Sequence, residues 1–251
     1  QSWDLLEHPD LDKFDTSTLT TVGGGGAPAP TQLVGRVGSS FKSAKPNIGY
    51  GMTETNAYGP GNSGTDYETN PTSTGRSTPI LKVEIRDPEL VPVPNGERGE
   101  IWMKGPNLIR GYWNKPQETA ETLVDGWLRT GDLGRMDDEG FVYIEDRAKD
   151  MILRGGENVY SAEVESALYE HPQVYEAAVF GLPHDRLGEE VAAAIVPRTG
   201  QTIDEEELKA FVAKSLAGFK VPSRLFIFEE ALPRNPAGKI LKRQLRDELA
   251  D

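Results

Sequence analysis

The densest run of reactive side chains in this sequence is Tyr50-Gly51-Met52-Thr53-Glu54-Thr55. A Tyr ring can stack on a purine, Thr53 can donate to a phosphate oxygen, and Glu54 can hold Mg²⁺ through oxygen. An ordinary polar loop has the same composition. Upstream, Gly23-Gly24-Gly25-Gly26-Ala27-Pro28 lets a backbone approach a flat ligand with no side chain between, or serves as a flexible turn. No Gly-Lys-Ser/Thr follows the run, and no Gly-x-Gly-x-x-Gly opens a helix, so neither common phosphate-loop motif is there. Further along stand Asp132, Arg147 and Lys239. Taken singly, they read equally well as a turn cap after Gly131, a surface ion pair, and part of a basic tail with Lys242, Arg243 and Arg246.

The elements that must position these groups change character along the chain. Up to about residue 65, Leu19–Val22 reads as a brief buried strand, Thr31–Val37 as the opening of a helix and Asn47–Gly51 as a second strand. That order suggests a piece of an α/β layer, with the Tyr50 string at a strand end, where open α/β sheets bind ligands. From about 70 to 146 the pattern has period two. Leu81, Val83 and Ile85 alternate with Lys82 and Glu84, and turns at Pro94-Asn95-Gly96 and Asp137-Asp138-Glu139-Gly140 separate short antiparallel strands of a small sheet or distorted barrel. From 147 onward the texture is α+β. Ser161 is placed to N-cap a helix through Leu168, Asp204 and Glu207 to form an acidic capping box, and Val174–Phe180 and Val191–Val196 to be strands.

Composition narrows the classes. With no Cys among 251 residues, disulfides, thiolate zinc sites and Cys nucleophiles are excluded. Three scattered His residues make no metal cluster, and a net charge of −13 argues against nucleic acid or an anionic membrane as partner. No window approaches the roughly 18 apolar residues of a membrane span, so a soluble, cytoplasmic protein is expected. The chain begins at Gln1 without an initiator Met or a signal peptide, which suggests a piece of something longer.

Four strings read in order carry a resemblance: Tyr50–Thr55; Trp127-Leu128-Arg129-Thr130-Gly131-Asp132-Leu133-Gly134; Asp146-Arg147-Ala148-Lys149-Asp150-Met151-Ile152 with Gly155-Gly156-Glu157-Asn158; and Asn235-Pro236-Ala237-Gly238-Lys239-Ile240. The sequence resembles the adenylate-forming superfamily, and within it the AMP-forming acyl-CoA synthetases, over essentially the whole chain. The resemblance implies a mixed α/β and α+β fold. Residues 1–146 would be the end of a large α/β domain with a β-barrel-like subdomain, and 147–251 a small mobile C-terminal domain.

It also implies roles. Gly25, Gly26, Ala27 and Pro28 would line the adenine and one wall of the acyl pocket. Tyr50 would pack on the adenine, followed by Gly51 and Met52, with Thr53 near the α-phosphate and Glu54 at the metal. Asp132 would accept from the ribose hydroxyls, a task suited to an acceptor-only group, and Arg147 would reach the ribose too. Lys149 falls at the family's hinge, and Lys239 resembles the lysine that bridges the attacking carboxylate and the α-phosphate. Gly155 and Gly156 would line the channel for coenzyme A. Implied with these are ATP, Mg²⁺, coenzyme A and a carboxylic acid, a fatty acid first among them, converted to acyl-AMP and then to the thioester.

One departure qualifies the likeness. The family's Ser/Thr/Gly-rich phosphate loop ending in Pro-Lys-Gly does not occur in these residues. The chain is therefore expected to be the C-terminal half of a synthetase, inactive alone. The alternatives are an adenylate-forming ligase with a non-CoA acceptor and a non-catalytic nucleotide-binding module. Acyl chain length and oligomeric state are not legible here.

Overall fold

The computed structural model describes residues 5–6, 8–25, 31–236 and 238–250. The chain divides into two compact units, Gln1–Ile144 and Glu145–Asp251, where the sequence pattern draws the boundary after Asp146.

The first unit is organised by one mixed sheet. Its elements are β1 (Thr21–Gly25), α1 (Thr31–Ser40), β2 (Lys45–Gly49), β3 (Gly61–Ser63), α2 (Gly64–Thr69), β4 (Gly75–Arg76), β5 (Lys82–Arg86), β6 (Gly99–Lys104), α3 (Pro116–Thr122), β7 (Leu123–Val124), β8 (Trp127–Met136) and β9 (Phe141–Arg147). The strand order is β1-β2-β3-β4-β9-β8-β6-β5, with β7 on β8. Strands β1 and β2 are parallel, while β2–β3, β3–β4, β4–β9, β5–β6 and β6–β8 are antiparallel. The α/β and β regions, read separately from sequence, thus share one continuous sheet. The period-two pattern works as expected: Leu81, Ile85, Ile101, Met103 and Val142 form a buried cluster against which Tyr50 and Val83 pack.

The expected buried strand at Leu19–Val22 is displaced. Strand β1 starts at Thr21, Leu19 is 36% exposed, and the glycines themselves are the strand. Close pairing with β2 explains it: a Cβ on Gly25 would lie 2.7 Å from the Gly49 carbonyl oxygen.

The second unit contains β10 (Ile152–Arg154), β11 (Glu157–Val159), α4 (Ser161–Tyr169), β12 (Val174–His184), β13 (Gly188–Pro197), α5 (Glu205–Val212), β14 (Arg224–Ile227) and α6 (Lys242–Leu249). The sheet order is β11-β10-β13-β12, with β14 parallel to β13. Strands β12 and β13 read as unbroken apolar runs because both faces are covered. Ala177, Val179, Val191, Ala193 and Ile195 pack with Val164 and Leu168 of α4 and Leu208 and Val212 of α5. Their alternates, including Ala178, Phe180, Ala192 and Ala194, pack with Leu232 and with Leu245 of α6. Lys242, Arg243 and Arg246 lie not on a loose tail but on a helix pinned by fully buried Leu245, with Arg243 on its exposed side.

Asp204 caps α5, accepting from the Glu207 N–H at 2.9 Å, which is one half of the expected capping box. Ser161 does not cap α4. Tyr160 holds the cap position, and the Ser161 hydroxyl donates outward to Asp146. No described helix is long and apolar enough to cross a membrane.

Candidate active site

In the first unit, Tyr50 leaves the end of β2 and its hydroxyl donates to Asp132 Oδ2, joining positions 82 apart in sequence. The approach is steric: a Cβ on Gly51 would lie 2.7 Å from the Ala57 carbonyl carbon, and one on Gly59 2.3 Å from Tyr50 O. Asp132 is aimed by an irregularity in β8. The β6–β8 register shifts between Glu100 and Trp102, and Gly131 takes φ +70° inside the strand. This bulge is next to a functional candidate, as bulges often are. Thr130 locks it, donating to Ile101 O at 2.7 Å and accepting from the Asp132 N–H at 3.1 Å. Asp132 is 6% exposed, a buried acceptor for the Tyr50 hydroxyl.

Thr53, Glu54 and Thr55 form one 3₁₀ turn. Thr55 is buried and its hydroxyl closes the turn on Met52, accepting from the Met52 N–H at 3.1 Å and donating to Met52 O at 3.0 Å. Thr53 is exposed and Glu54 half-buried. Two residues that sequence reasoning missed hold this turn. Asn107 donates to Thr55 O and Tyr58 O, both at 2.9 Å, and Tyr112 donates to Glu54 Oε1 at 2.6 Å. Burial, then the Glu54 carboxylate, raises the Tyr112 phenol above its ordinary value, so it stays a donor. Among the described residues no three His, Asp or Glu side chains form a metal cage. Of the glycine string, Gly25 ends β1, and Gly26, Ala27 and Pro28 lie outside the described residues.

The remaining candidates belong to the second unit, whose boundary falls within β9 after Ile144. Arg147 ends that strand, and its carbonyl accepts from Asp150 and Met151 in the turn that exposes Lys149. Just before it, Asp146 is buried. It accepts from the N–H groups of Arg147, at 2.8 Å, and Ser161, and from the Ser161 hydroxyl at 2.9 Å. Lys242 donates to that hydroxyl at 2.8 Å and pairs with Glu165 at 2.6 Å. Burial raises the carboxyls of Asp146 and Glu165, against the opposing pull of Lys242 and the backbone donors. The hinge candidate thus adjoins a rigid, buried network.

Gly155 and Gly156 join β10 to β11 in a two-residue turn with φ +62° and +90°. Glycine is required there by turn geometry, apart from any channel. Lys239 is exposed on a hairpin closed by the Arg234–Ile240 bridge and by Asn235, whose Oδ1 accepts from the Lys239 N–H at 3.0 Å.

Comparison with known proteins finds two family models along the chain. Residues 3–113 match the family model of the AMP-binding enzymes, and residues 163–239 that of the AMP-binding enzyme C-terminal domain. The chain is 42% identical to a long-chain-fatty-acid–CoA ligase of Bacillus subtilis, covering 97% of this chain and 43% of that protein. It is also 42% identical to a feruloyl-CoA synthase of Amycolatopsis, covering 96% and 49%. Among solved structures, the amide bond synthetase McbA of Marinactinospora thermotolerans superposes with TM-score 0.90 at 38% identity, over 100% of this chain and 50% of that one. The B. subtilis o-succinylbenzoate coenzyme A synthetase, solved with ATP and magnesium, superposes with TM-score 0.86 at 33% identity, over 100% and 50%. The chain spans about half the length of these relatives. On its order of motifs, its fold and these matches, the chain belongs to the adenylate-forming, AMP-binding enzyme family, acyl-CoA synthetase type.

Proposed function

We propose that the whole protein joins a carboxylic acid to ATP, releasing pyrophosphate to give acyl-AMP, and then passes the acyl group to the thiol of coenzyme A. A fatty acid is the leading substrate. The observation that carries this reading is the Tyr50–Asp132 hydrogen bond, which sets an aromatic face beside a buried acceptor. The ring packs on the adenine and the carboxylate accepts from the ribose hydroxyls, aided by Arg147. Gly25, with Gly26, Ala27 and Pro28, leaves room along the base, and Gly51 and Met52 set the spacing to the turn. Thr53 donates to the α-phosphate.

Glu54 suits Mg²⁺. A single carboxylate fixed through one oxygen by Tyr112 fits a cation that keeps its remaining positions for phosphate and water. When bound, the ion neutralises phosphate charge. Lys239 places its ammonium between carboxylate and α-phosphate, offsetting the repulsion as two anions converge. Lys149 is the hinge about which the second unit exchanges Lys239 for the Gly155-Gly156 hairpin, which lines the coenzyme A passage.

The test is acid-dependent pyrophosphate release and CoA-thioester formation by the whole protein across a panel of fatty and aryl acids. Pyrophosphate release with no CoA consumed would favour the second reading, transfer to an amine or carrier thiol. The 38% identity to an amide bond synthetase supports that reading. The 251-residue chain itself, lacking the Pro-Lys-Gly phosphate loop, should release none.

A further inference from the structure

Two loops of the second unit have proposed roles, and each is tied to the β12–β13 pair by one carboxylate and one arginine. Glu176 on β12 is 8% exposed. Its Oε2 accepts from the Leu232 N–H at 3.0 Å, and its Oε1 from Arg234 Nη2 at 2.6 Å. Arg234 Nη1 then donates to the Gly238 carbonyl at 2.6 Å. One guanidinium therefore runs from a buried carboxylate to the peptide group immediately before Lys239.

Glu189 on β13 serves the other loop. Its Oε2 accepts from the Leu153 N–H at 2.9 Å, and its Oε1 from Arg246 Nη2 at 2.8 Å. Leu153 lies on β10, two residues before Gly155, whose own N–H donates to Leu187 O at 2.7 Å. Gly181 leaves the space this carboxylate occupies, since a Cβ there would sit 2.8 Å from Glu189 Cδ. Exposed ion pairs contribute little to stability. These two are different in kind, because each reaches the backbone of a loop and fixes where it stands.

We infer that Glu176–Arg234 and Glu189–Arg246 are separate positioning couples, the first setting Lys239 for acyl-AMP formation and the second setting the Gly155-Gly156 hairpin for thioester formation. The inference rests on the roles proposed above for Lys239 and the hairpin. Neither couple touches substrate. Each acts by holding its loop, and small misplacements of a reacting group cost up to about a hundredfold in rate.

The experiment measures both half-reactions in the whole protein: acid-dependent ATP–pyrophosphate exchange, and thioester formation from supplied acyl-AMP. Glu176→Gln should slow the first by about tenfold to a hundredfold and leave the second within about twofold. Glu189→Gln should do the reverse. Arg234→Lys should recover part of what Arg234→Ala loses, because it keeps the charge but not the fork. Amide exchange on the whole protein, without substrates, gives a readout free of turnover. Glu176→Gln should speed exchange at Gly238 and Lys239 and not at Leu153 and Gly155, and Glu189→Gln the opposite pair.

Equal losses in both half-reactions, or loop amides that do not respond, would overturn the inference. Lys239→Ala serves as the separate control. If it leaves pyrophosphate exchange intact, the role given to Lys239 fails, and its couple with it. If it abolishes exchange while Glu176→Gln does not, only the inference fails.

Discussion

The two units hold their functional candidates by opposite means. In the first, the groups are acceptors and hydroxyls fixed directly by the main sheet: Asp132 by a bulge within β8, Tyr50 by the end of β2, Glu54 by a 3₁₀ turn clamped by Asn107 and Tyr112. In the second, Lys239 is exposed on a hairpin that is tied through Arg234 to the buried carboxylate of Glu176. A nucleotide bound through two reactions needs an unchanging seat. A cation needed for one of them has to be able to leave, so its loop is rigid while its side chain stays in solvent. Under the proposed function, first-unit residues serve both half-reactions and second-unit loops serve one each.

The largest test of that contrast is Lys239→Ala. It should lower acyl-AMP formation by about a hundredfold to a thousandfold, the loss expected of one electrostatic stabiliser, with thioester formation from supplied acyl-AMP changed only a few-fold. Comparable losses in both steps would erase the distinction between the units. Next in size, Asp132→Ala should weaken both half-reactions together by about tenfold to a hundredfold, because charge-assisted hydrogen bonds are worth about 1.5–3 kcal/mol. Single-turnover measurement of each step checks it, and a loss confined to one step would contradict the shared-seat role.

The geometry of much of this candidate site was legible before the structure, for a physical reason. The groups proposed to meet a ligand sit in strings whose backbone is also unusual, and glycine marks the unusual backbone. Gly51 beside Tyr50, Gly131 before Asp132 and Gly238 before Lys239 each stand where a close approach or positive φ is required. What stayed hidden is the support. Asn107, Tyr112, Glu176, Glu189 and Arg234 act across the fold from ordinary strands and loops, and no local pattern separates them from surface residues. Ser161 shows the same limit from the other side. Its position reads as an N-cap until Asp146, fifteen residues upstream, claims its hydroxyl and its N–H. Helix α6 was obscured by its charge, with one deeply buried side chain, Leu245, among Lys and Arg.

That buried network is the next place to break the contrast. Asp146→Ala strands the Ser161 N–H and the proton of its hydroxyl, while Lys242 keeps Glu165 and the hydroxyl oxygen. Unsatisfied buried donors cost about 1–3 kcal/mol each, so with two of them stranded the second unit should lose roughly 2–6 kcal/mol, read as faster amide exchange through α4 and β12. The first unit should keep its protection. Equal loosening of both would mean that the two unfold as one.

The smallest effect is in pH. Asp146 and Glu165 have carboxyls raised from ordinary values of 3.8 and 4.5, burial being the first cause of each. Between those values and the raised native ones, the folded second unit binds more protons than the unfolded chain, so stability falls as pH rises. This contribution is fully present below the ordinary values and is lost as pH passes the native ones. The slope is at most about 1.4 kcal/mol per pH unit for each proton held. In the first unit the raised groups are Tyr67, Tyr112 and Tyr143, whose ordinary value is 10.0, so the corresponding loss begins only above that pH. Amide exchange resolved by unit, from pH 4 upward, should show the second unit weakening first. Glu165→Gln keeps an acceptor for the Val179 N–H and removes one titration, so it should flatten that slope while leaving the first unit's profile unchanged. An unaltered slope in the variant would remove Glu165 as its source and leave Asp146 to carry it.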